Sequence, residues 1–303
     1  MSSDTRSRQF RSRSWFGHLW HEWTVESLRP ILPAFARPRP ETWSDSNLTL
    51  AWLGHATVLI NFFGINILTD PALFPRVGIR LPGLTIGPKR LTAPALTVRN
   101  LPRLDLILLS HAHFDHFDMR TLHCFDERTA IITAPRTRDL LRWTRFRDIT
   151  ELRWGDATEI RHNRGHLSVR AIAVKHWGAR VRRDFYRGYN GYLLERNGRR
   201  LIFGGDTAFT ERFAQLNDGW PIDLAIMAIG AYHPWIRSHA SPEQVVQMCD
   251  AAGVRFLVPV HHQTFRLSFE PFREPIERLE AALRDQPHRI ALREIGETFV
   301  LPG

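Results

Sequence analysis

Thiol side chains are scarce in this 303-residue chain. Its two cysteines, Cys124 and Cys249, form no CxxC pair and lie far apart in the sequence. Neither a disulfide framework nor a cysteine-rich zinc site can be built from them. We therefore expect a protein of a reducing compartment, the cytoplasm, in which any metal site uses other ligands.

Long apolar runs are also missing. The one long uncharged stretch, residues 46–69, is interrupted by Gly54, His55, Asn61, Gly64 and Asn66. A membrane-spanning helix needs ~20 predominantly apolar residues, so this stretch is more typical of successive strands. No apolar segment of the signal-peptide type follows the Ser/Arg-rich start, and secretion is not expected.

Lysine is the third scarce residue. Lys89 and Lys175 are the chain's lysines, which leaves 39 of its 41 basic side chains to arginine, and the formal net charge is +10. A positive surface attracts phosphates and anionic lipids, but arginine on a solvated surface carries the same charge without forming a site. The arginines at positions 136, 138, 142, 145 and 147 occur with Asp139 and Asp148 at spacings typical of a solvated helix, and no nucleic-acid-binding module is recognisable. Nucleic acid is therefore not an expected partner.

Residues 1–45 differ in composition from the rest, and we predict an N-terminal extension before a catalytic domain at residues 46–303. An arginine-rich start precedes apolar residues at the spacing of one helical face, which are Trp15, Phe16, Leu19, Trp20 and Trp23. Such a helix can contact a membrane surface through residues 1–30, or it can pack on the protein's own core. The sequence leaves both interpretations open, and it does not predict the oligomeric state.

From residue 48 the chain consists of short apolar segments separated by Gly, Asn and Pro, a pattern that predicts strands. These are predicted at residues 48–53, 56–62, 65–69, 104–109, 130–133, 167–175, 191–195, 200–203, 223–229 and 256–260. Two helices follow, at 245–252 and 272–284, the first opened by Ser241 as N-cap, Pro242, and Gln244 in a capping box. Many strands with few helices predict an α/β fold, a four-layer αββα sandwich.

The strand at 104–109 leads into SHAHFDHFD at residues 110–118, where the chemistry is concentrated. Alternate residues of an extended chain face the same way, so His111 and His113 can present imidazoles to one point. Asp115 and His116, beyond the bend, can reach a second point nearby. Two divalent metal ions are therefore geometrically possible, and imidazole with carboxylate suits Zn²⁺ and also Mn²⁺ or Fe.

Four ligands from one loop do not complete two coordination shells, so other strand ends must contribute. His176 follows the predicted strand at 167–175, and His261 follows the one at 256–260. Asp206 follows the strand at 200–203 through two glycines, which let the backbone come close to a ligand. These three residues are the further candidate metal ligands.

The motifs together resemble the metallo-β-lactamase superfamily of binuclear hydrolases, through the HxHxDH run, a later His, a GD-T turn and a final His. Within it the chain is similar to the phospholipases D that hydrolyse N-acylphosphatidylethanolamine, and more distantly to the ascorbate-phosphate lactonases. The finer matches are WLGHAT at 52–57, TDP at 69–71, GPKR at 87–90, HW at 176–177, GDT at 205–207, and GAY at 230–232 before His239.

The resemblance implies a complete ligand set for two metal ions. One ion would be held by His111, His113 and His176, the other by Asp115, His116 and His261, with Asp206 bridging both. Two ions ~3.5–4 Å apart would turn a shared water into a hydroxide nucleophile and clamp the attacked oxygen. Asp115 could orient that water or accept its proton.

The resemblance also suggests substrate contacts. His239 matches a substrate-contacting histidine and would act in catalysis, although a hydrogen bond at a helix start would explain it too. Tyr232 could line the pocket or belong to the core. Phe114 stands where the phospholipases have a tyrosine that contacts the acyl group, so that hydroxyl is missing here.

Two further histidines are given structural roles. His262 neighbours His261, and the similarity of the following residues to the phospholipase motif selects His261 as the ligand. His55 is interpreted as a residue that supports a ligand or ties the backbone.

The favoured function is a metal-dependent hydrolase that uses a hydroxide bridging two ions to attack a phosphodiester. Its substrate would be a small molecule or a phospholipid of the N-acylphosphatidylethanolamine type. A lactonase or other carbonyl-ester hydrolase is the alternative, because the same hydroxide can attack a carbonyl carbon.

Overall fold

The fold was obtained as a computed structural model, which describes residues 28–303. The predicted aromatic helix at residues 15–23 lies outside the described residues. Between residues 28 and 303, no helix combines the length and the apolar character needed to cross a bilayer.

Two large β-sheets form the centre of the molecule. The first has the strand order β15-β1-β2-β3-β6-β7-β8 and the second the order β14-β13-β12-β11-β10-β9, while β4 and β5 form a separate hairpin. The strands are β1 Leu48–Gly54, β2 Thr57–Phe62, β3 Ile65–Thr69, β4 Ile79–Leu81, β5 Leu84–Ile86, β6 Leu106–Leu109, β7 Ala130–Thr133, β8 Ile149–Glu151, β9 Ala157–His162, β10 Gly165–Ile172, β11 Gly191–Arg196, β12 Arg199–Phe203, β13 Ile222–Ala228, β14 Val254–Val260 and β15 Thr298–Val300.

The second sheet separates two apolar cores by the alternation of its side chains. On β12, Leu201 and Phe203 join the core shared with the first sheet, whereas Ile202 between them joins the core beneath the helices. On β13, Leu224 and Ala225 divide in the same way. Successive residues of a strand point to opposite faces. Because both faces of β13 are covered, this strand is apolar at nearly every position.

Helices cover the outer face of the second sheet. They are α2 Pro242–Ala251 and α3 Glu274–Ala282, whose apolar residues share the outer core. The capping box of Ser241 and Gln244 is present at the start of α2, as predicted. After strands of the first sheet, the described helical segments are single turns, α1 Met119–Leu122 and a 3₁₀ turn at Arg138–Leu141. The α/β fold is confirmed, and its helical layer on the first sheet is thin.

The predicted strands differ from the observed ones mainly at their ends. The strand predicted at 167–175 ends at Ile172, so His176 lies in the loop beyond β10. The strand predicted at 104–109 begins at Leu106. The short strands β4, β5, β8, β9 and β15 were not predicted, since they lack a continuous apolar run.

Parallel pairing brings the candidate residues to one edge. β3 runs parallel to β6, and β12 runs parallel to β13 and β13 to β14. The carboxyl ends of parallel strands meet at the same edge of a sheet. The segments that follow β3 and β6 therefore lie at one edge of the first sheet, and those that follow β12 and β14 lie at one edge of the second. Asp206 Oδ2, after β12, lies 3.9 Å from His111 Nε2, after β6, so the two edges adjoin.

Candidate metal centre

The first group of candidate ligands, here called the first cluster, consists of His111, His113, His176 and Asp206. His111 Nε2 lies 2.8 Å and His176 Nε2 3.4 Å from Nδ1 of His113. Asp206 Oδ2 lies 3.9 Å from His111 Nε2 and 3.8 Å from His176 Nε2. One ligand atom from each residue falls within 4.8 Å of all the others. These are the residues that the sequence assigned to one metal ion.

The second cluster consists of His55, Asp115, His116 and His261. His116 Nε2 lies 3.5 Å from Asp115 Oδ2 and 3.1 Å from His261 Nε2. His55 Nε2 donates to Asp115 Oδ2 at 2.8 Å. Asp206 Oδ2 lies 3.1 Å from His116 Nε2 and 3.3 Å from His261 Nε2, so one carboxylate oxygen faces both clusters.

Asp206 reaches this position through a tight turn after β12. Gly205 adopts a φ of 56°, and a β-carbon there would come within 2.7 Å of Ser110 Cβ. Glycine adopts this left-handed backbone without steric cost. The turn therefore brings the strand end close against the loop after β6, which places Asp206 among the histidines.

Hydrogen bonds orient three of the histidine rings. His116 Nδ1 donates to Asp70 Oδ2 at 2.7 Å, and His176 Nδ1 donates to the carbonyl of Ser238 at 2.9 Å. His111 Nδ1 lies 2.8 Å from Ser110 Oγ. Because each Nδ1 is engaged, Nε2 is the nitrogen of each ring that faces the clusters.

Asp70 connects two of these rings. It accepts hydrogen bonds from the backbone nitrogen of Ser110 at 2.7 Å and from its hydroxyl at 2.5 Å, besides the one from His116. Since the Ser110 hydroxyl donates to Asp70, its oxygen accepts the proton on His111 Nδ1. One buried carboxylate thus supports a histidine of each cluster.

The two clusters differ electrostatically. Burial lowers the pKa of His113 to about 3, and burial also lowers the pKa of His176 against the opposing effect of Asp206. In the second cluster, burial lowers the pKa of His261 but Asp206 and Asp115 more than compensate, so that it stands at about 9. The first cluster therefore contains neutral imidazoles, and the second balances buried carboxylates with positive charge.

The donor set fits divalent cations. Metal-bound histidines typically donate their other ring N–H to a carboxylate or carbonyl, as His116 and His176 do. Asp206 Oδ1 is buried, and within the described part of the chain it has no hydrogen-bond partner. Nitrogen and oxygen donors without thiolate suit Zn²⁺, Mn²⁺ or Fe.

Two other histidines lie beside the clusters. His239 is 12% exposed, and its Nδ1 lies 3.8 Å from Asp206 Oδ2, so it stands at the rim of the site. His262 turns away and stacks on Trp52 with ring centroids 4.5 Å apart. The structure thus brings His261 into the site and places His262 in the core.

The remaining predicted substrate contacts have partners of their own. The Arg180 guanidinium lies over the Phe114 ring at 4.1 Å and donates to the carbonyls of Ala112 and Phe117, so it braces the ligand loop. The Tyr232 hydroxyl donates to Glu274 at 2.7 Å, and the Arg278 guanidinium lies 4.8 Å from the centroid of its ring. The roles of Phe114 and Tyr232 as substrate contacts stay predictions.

Asp70 and Ser110 were missed as functional residues by sequence reasoning. Asp70 directly follows β3, so it carries the same strand-end signal that selected Asp206 and His261. His55 was interpreted as a supporting residue, and the structure places its ring in the second cluster.

Comparison with known proteins identifies the family. A model of the beta-lactamase superfamily domain matches residues 65–262, a span that contains every ligand predicted from the sequence. The chain belongs to the metallo-β-lactamase superfamily. It is 30% identical over 268 residues to an N-acyl-phosphatidylethanolamine-hydrolyzing phospholipase D of Caenorhabditis elegans, covering 84% of this chain and 74% of that protein. It is 31% identical over 279 residues to an uncharacterised protein of Mycobacterium tuberculosis, covering 89% and 73%.

Solved structures agree on the metallo-β-lactamase fold. The isothiocyanate hydrolase from Delia radicum gut bacteria superposes with a TM-score of 0.64 at 18% identity, covering 83% of this chain and 98% of that one. A metallo hydrolase of Ignicoccus hospitalis gives a TM-score of 0.60 at 18% identity, with coverages of 85% and 99%. This chain is a metal-dependent hydrolase of the metallo-β-lactamase fold.

Proposed function

We propose that this hydrolase cleaves phosphodiester bonds, with a phospholipid of the N-acylphosphatidylethanolamine type as substrate. The observation that supports this proposal most directly is that Asp206 Oδ2 faces both clusters. It lies 3.9 Å from His111 Nε2 and 3.1 Å from His116 Nε2. The 30% identity to a phospholipase D acting on that lipid class supports the choice of substrate. We assign the activity to a catalytic domain at residues 46–303.

In this proposal each cluster holds one divalent ion, preferably Zn²⁺. The first ion would be held by His111, His113, His176 and Asp206, the second by Asp115, His116, His261 and Asp206. Bound together, the ions would supply a hydroxide at neutral pH and polarise the attacked phosphoryl oxygen. Asp70, Ser110 and Ser238 would keep the ligand rings in the required tautomers.

The protein's own residues would direct the reaction. Asp115, held by the hydrogen bond from His55, would orient the attacking water and accept its proton. His239 at the rim would donate a hydrogen bond to a phosphate oxygen of the bound substrate. The missing hydroxyl at Phe114 removes one polar contact to an acyl group, so looser acyl selectivity is expected.

Metal content and turnover of bis-p-nitrophenyl phosphate test the proposal. The wild-type protein should retain two equivalents of metal, and His113→Ala should lose metal and more than about 100-fold in kcat/KM, because even residues that only support a ligand cost about 10–100-fold. His123→Ala is the matched control, since His123 is exposed just after α1. Equal turnover by wild type and His113→Ala would refute the assignment.

A substrate panel tests the reaction class. N-acylphosphatidylethanolamine in vesicles, soluble phosphodiesters and lactones should be compared with the metal-loaded enzyme. We expect turnover of the phosphodiesters with release of the headgroup alcohol. Turnover confined to lactones would contradict a phosphodiesterase and favour the carbonyl hydrolase.

A further inference from the structure

An exposed surface of aromatic and arginine side chains begins at the metal centre. Its apolar members, with their exposed fractions, are Trp143 76%, Trp177 42%, Val181 51%, Phe185 65% and Tyr186 53%. The Trp177 ring lies 4.2 Å from the ring of His113, and Phe185 stacks on Trp177 at 5.8 Å. Large apolar side chains that lie exposed beside one another mark an interaction site.

Arginines lie among these aromatic residues. A cleft of about 680 Å³ is lined by Tyr186 together with Arg136, Arg138 and Arg142. The guanidinium of Arg142 lies 5.1 Å from the Trp143 ring centroid, which joins that indole to the cleft. Arg182 and Arg183 occupy the loop between Trp177 and Phe185. We call this set, with the apolar residues above, the aromatic–arginine surface.

The acidic groups of this region are already engaged. Arg187 pairs with Asp139 at 2.5 Å and with Asp184 at 2.6 Å. Glu151 accepts hydrogen bonds from the backbone nitrogens of Thr137 and Arg138.

The positive charges of five arginines on this surface are not neutralised by neighbouring carboxylates of the described residues. Among residues 28–303, no carboxylate oxygen lies within 4.0 Å of a guanidinium nitrogen of Arg136, Arg138, Arg142, Arg182 or Arg183. The surface therefore presents uncompensated positive charge beside its apolar rings.

The loop that carries the aromatic residues is held in shape. Arg180 donates to the carbonyls of Ala112 and Phe117 at one end of it. At the other end, the buried Arg187 ties Asp184 to the turn containing Asp139. These contacts fix the exposed position of Phe185 and Tyr186, so their exposure follows from the fold.

We propose that the aromatic–arginine surface docks on an anionic phospholipid bilayer and holds the metal centre at the lipid headgroups. Aromatic rings flanked by cationic side chains prefer the membrane interface, where rings enter the headgroup region and guanidinium groups meet phosphates. The exposed aliphatic side chain of Val181 favours a lipid over a nucleic acid, whose bases would stack on aromatic rings. The inference rests on the proposed function, because docking would bring the enzyme to a phospholipid substrate. The test of vesicle binding does not depend on catalysis.

Vesicle sedimentation of the full chain tests this docking. The wild-type protein should bind phosphatidylcholine vesicles that contain phosphatidylglycerol and bind pure phosphatidylcholine vesicles weakly. A basic residue at an anionic bilayer contributes about fivefold in affinity, so Arg182→Glu/Arg183→Glu should bind at least about tenfold more weakly. Trp143→Ser, at a position 76% exposed, should also weaken binding without affecting the fold.

The matched control is Arg99→Glu/Arg103→Glu, which makes the same change in charge. Both arginines are exposed and precede β6, so they lie near the end of that strand opposite the metal centre. It should bind as the wild type does. Equal binding by both double variants, or wild-type binding that ignores phosphatidylglycerol, would overturn the docking surface. Binding of single-stranded DNA in place of vesicles, weakened by the same variants, would overturn it in favour of a nucleic-acid surface.

Activity separates this inference from the proposed function. Soluble bis-p-nitrophenyl phosphate should be hydrolysed equally by wild type and Arg182→Glu/Arg183→Glu, while hydrolysis of vesicle lipid by the double variant should fall. If the wild type binds anionic vesicles but hydrolyses no phosphodiester, the proposed function fails and the docking stands. If vesicle lipid is hydrolysed equally by both proteins, the docking fails and the function stands.

Discussion

The substitution Asp70→Asn tests how the ligand histidines are oriented without removing any metal ligand. Asp70 is fully buried and accepts hydrogen bonds from His116 Nδ1 at 2.7 Å and from the nitrogen and hydroxyl of Ser110 at 2.7 and 2.5 Å. Asparagine keeps the size of the side chain and one acceptor oxygen, so the Ser110 nitrogen retains its partner, whereas the Ser110 hydroxyl, which shares Oδ2 with His116, loses its acceptor. The other oxygen becomes an NH₂ donor.

The substitution reverses the tautomer of His116. An amide donor facing Nδ1 moves the imidazole proton to Nε2, the atom that lies 3.1 Å from Asp206 Oδ2 in the cluster. A protonated Nε2 cannot ligate a metal. Hydrogen bonds to a charged group contribute about 1.5–3 kcal/mol, and groups that orient metal-bound histidines contribute about 10–100-fold in affinity. We therefore expect about 10–100-fold weaker metal binding at the second cluster.

The assay is a titration of metal-free protein with Zn²⁺ against a chromophoric chelator, which resolves two sites by affinity. Asp105→Asn is the matched control, since Asp105 accepts a backbone hydrogen bond from Asn66 at the opposite end of β6. The control should bind both ions as the wild type does. Equal affinities in Asp70→Asn and wild type would show that Asp70 does not orient His116, and the reasoning would be refuted.

Three further predictions concern the supporting structure. Gly205→Ala should abolish metal retention and lower the midpoint of urea unfolding, because its β-carbon would come within 2.7 Å of Ser110 Cβ at a φ of 56°; near-native values of both would contradict the tight turn. Arg180→Ala should lower the free energy of unfolding by ~2–4 kcal/mol in urea titrations, since two charged hydrogen bonds and a cation–π contact are lost; a change below ~0.5 kcal/mol would show that the ligand loop needs no brace. In the native protein at pH 8 a thiol reagent should label Cys124 and spare Cys249, whose pKa burial raises to about 12, whereas both should react after unfolding.

The strand ends were predictable because β6, β12 and β14 are apolar on both faces. A continuous apolar run that is followed within three residues by a histidine or aspartate locates that residue even without knowledge of the sheet order. This reasoning found His111, Asp206 and His261, and the structure brings them together. It applies less directly to His176, which lies in the loop four residues beyond the end of β10.

Weakly apolar edge strands could not be predicted in the same way. β9, with the sequence ATEIRH, alternates between exposed and partly exposed side chains at the edge of the second sheet. The hairpin of β4 and β5 is stabilised by its own pairing and lies mostly exposed. Neither segment offers the continuous apolar pattern on which the strand predictions depended.

The backbone at the metal centre is also beyond local prediction. His55, Asp70 and His261 adopt φ values of 53°, 31° and 65°, which side chains with a β-carbon rarely take. Such conformations cost of order 1–3 kcal/mol each and persist only where surrounding contacts impose them. Here the His261 nitrogen donates to the His55 carbonyl at 3.0 Å, and the Asp70 nitrogen donates to the carbonyl of Leu108. Since the first of these bonds joins the end of β14 in the second sheet to the β1–β2 turn of the first, the packing of the two sheets sets the geometry of the second cluster.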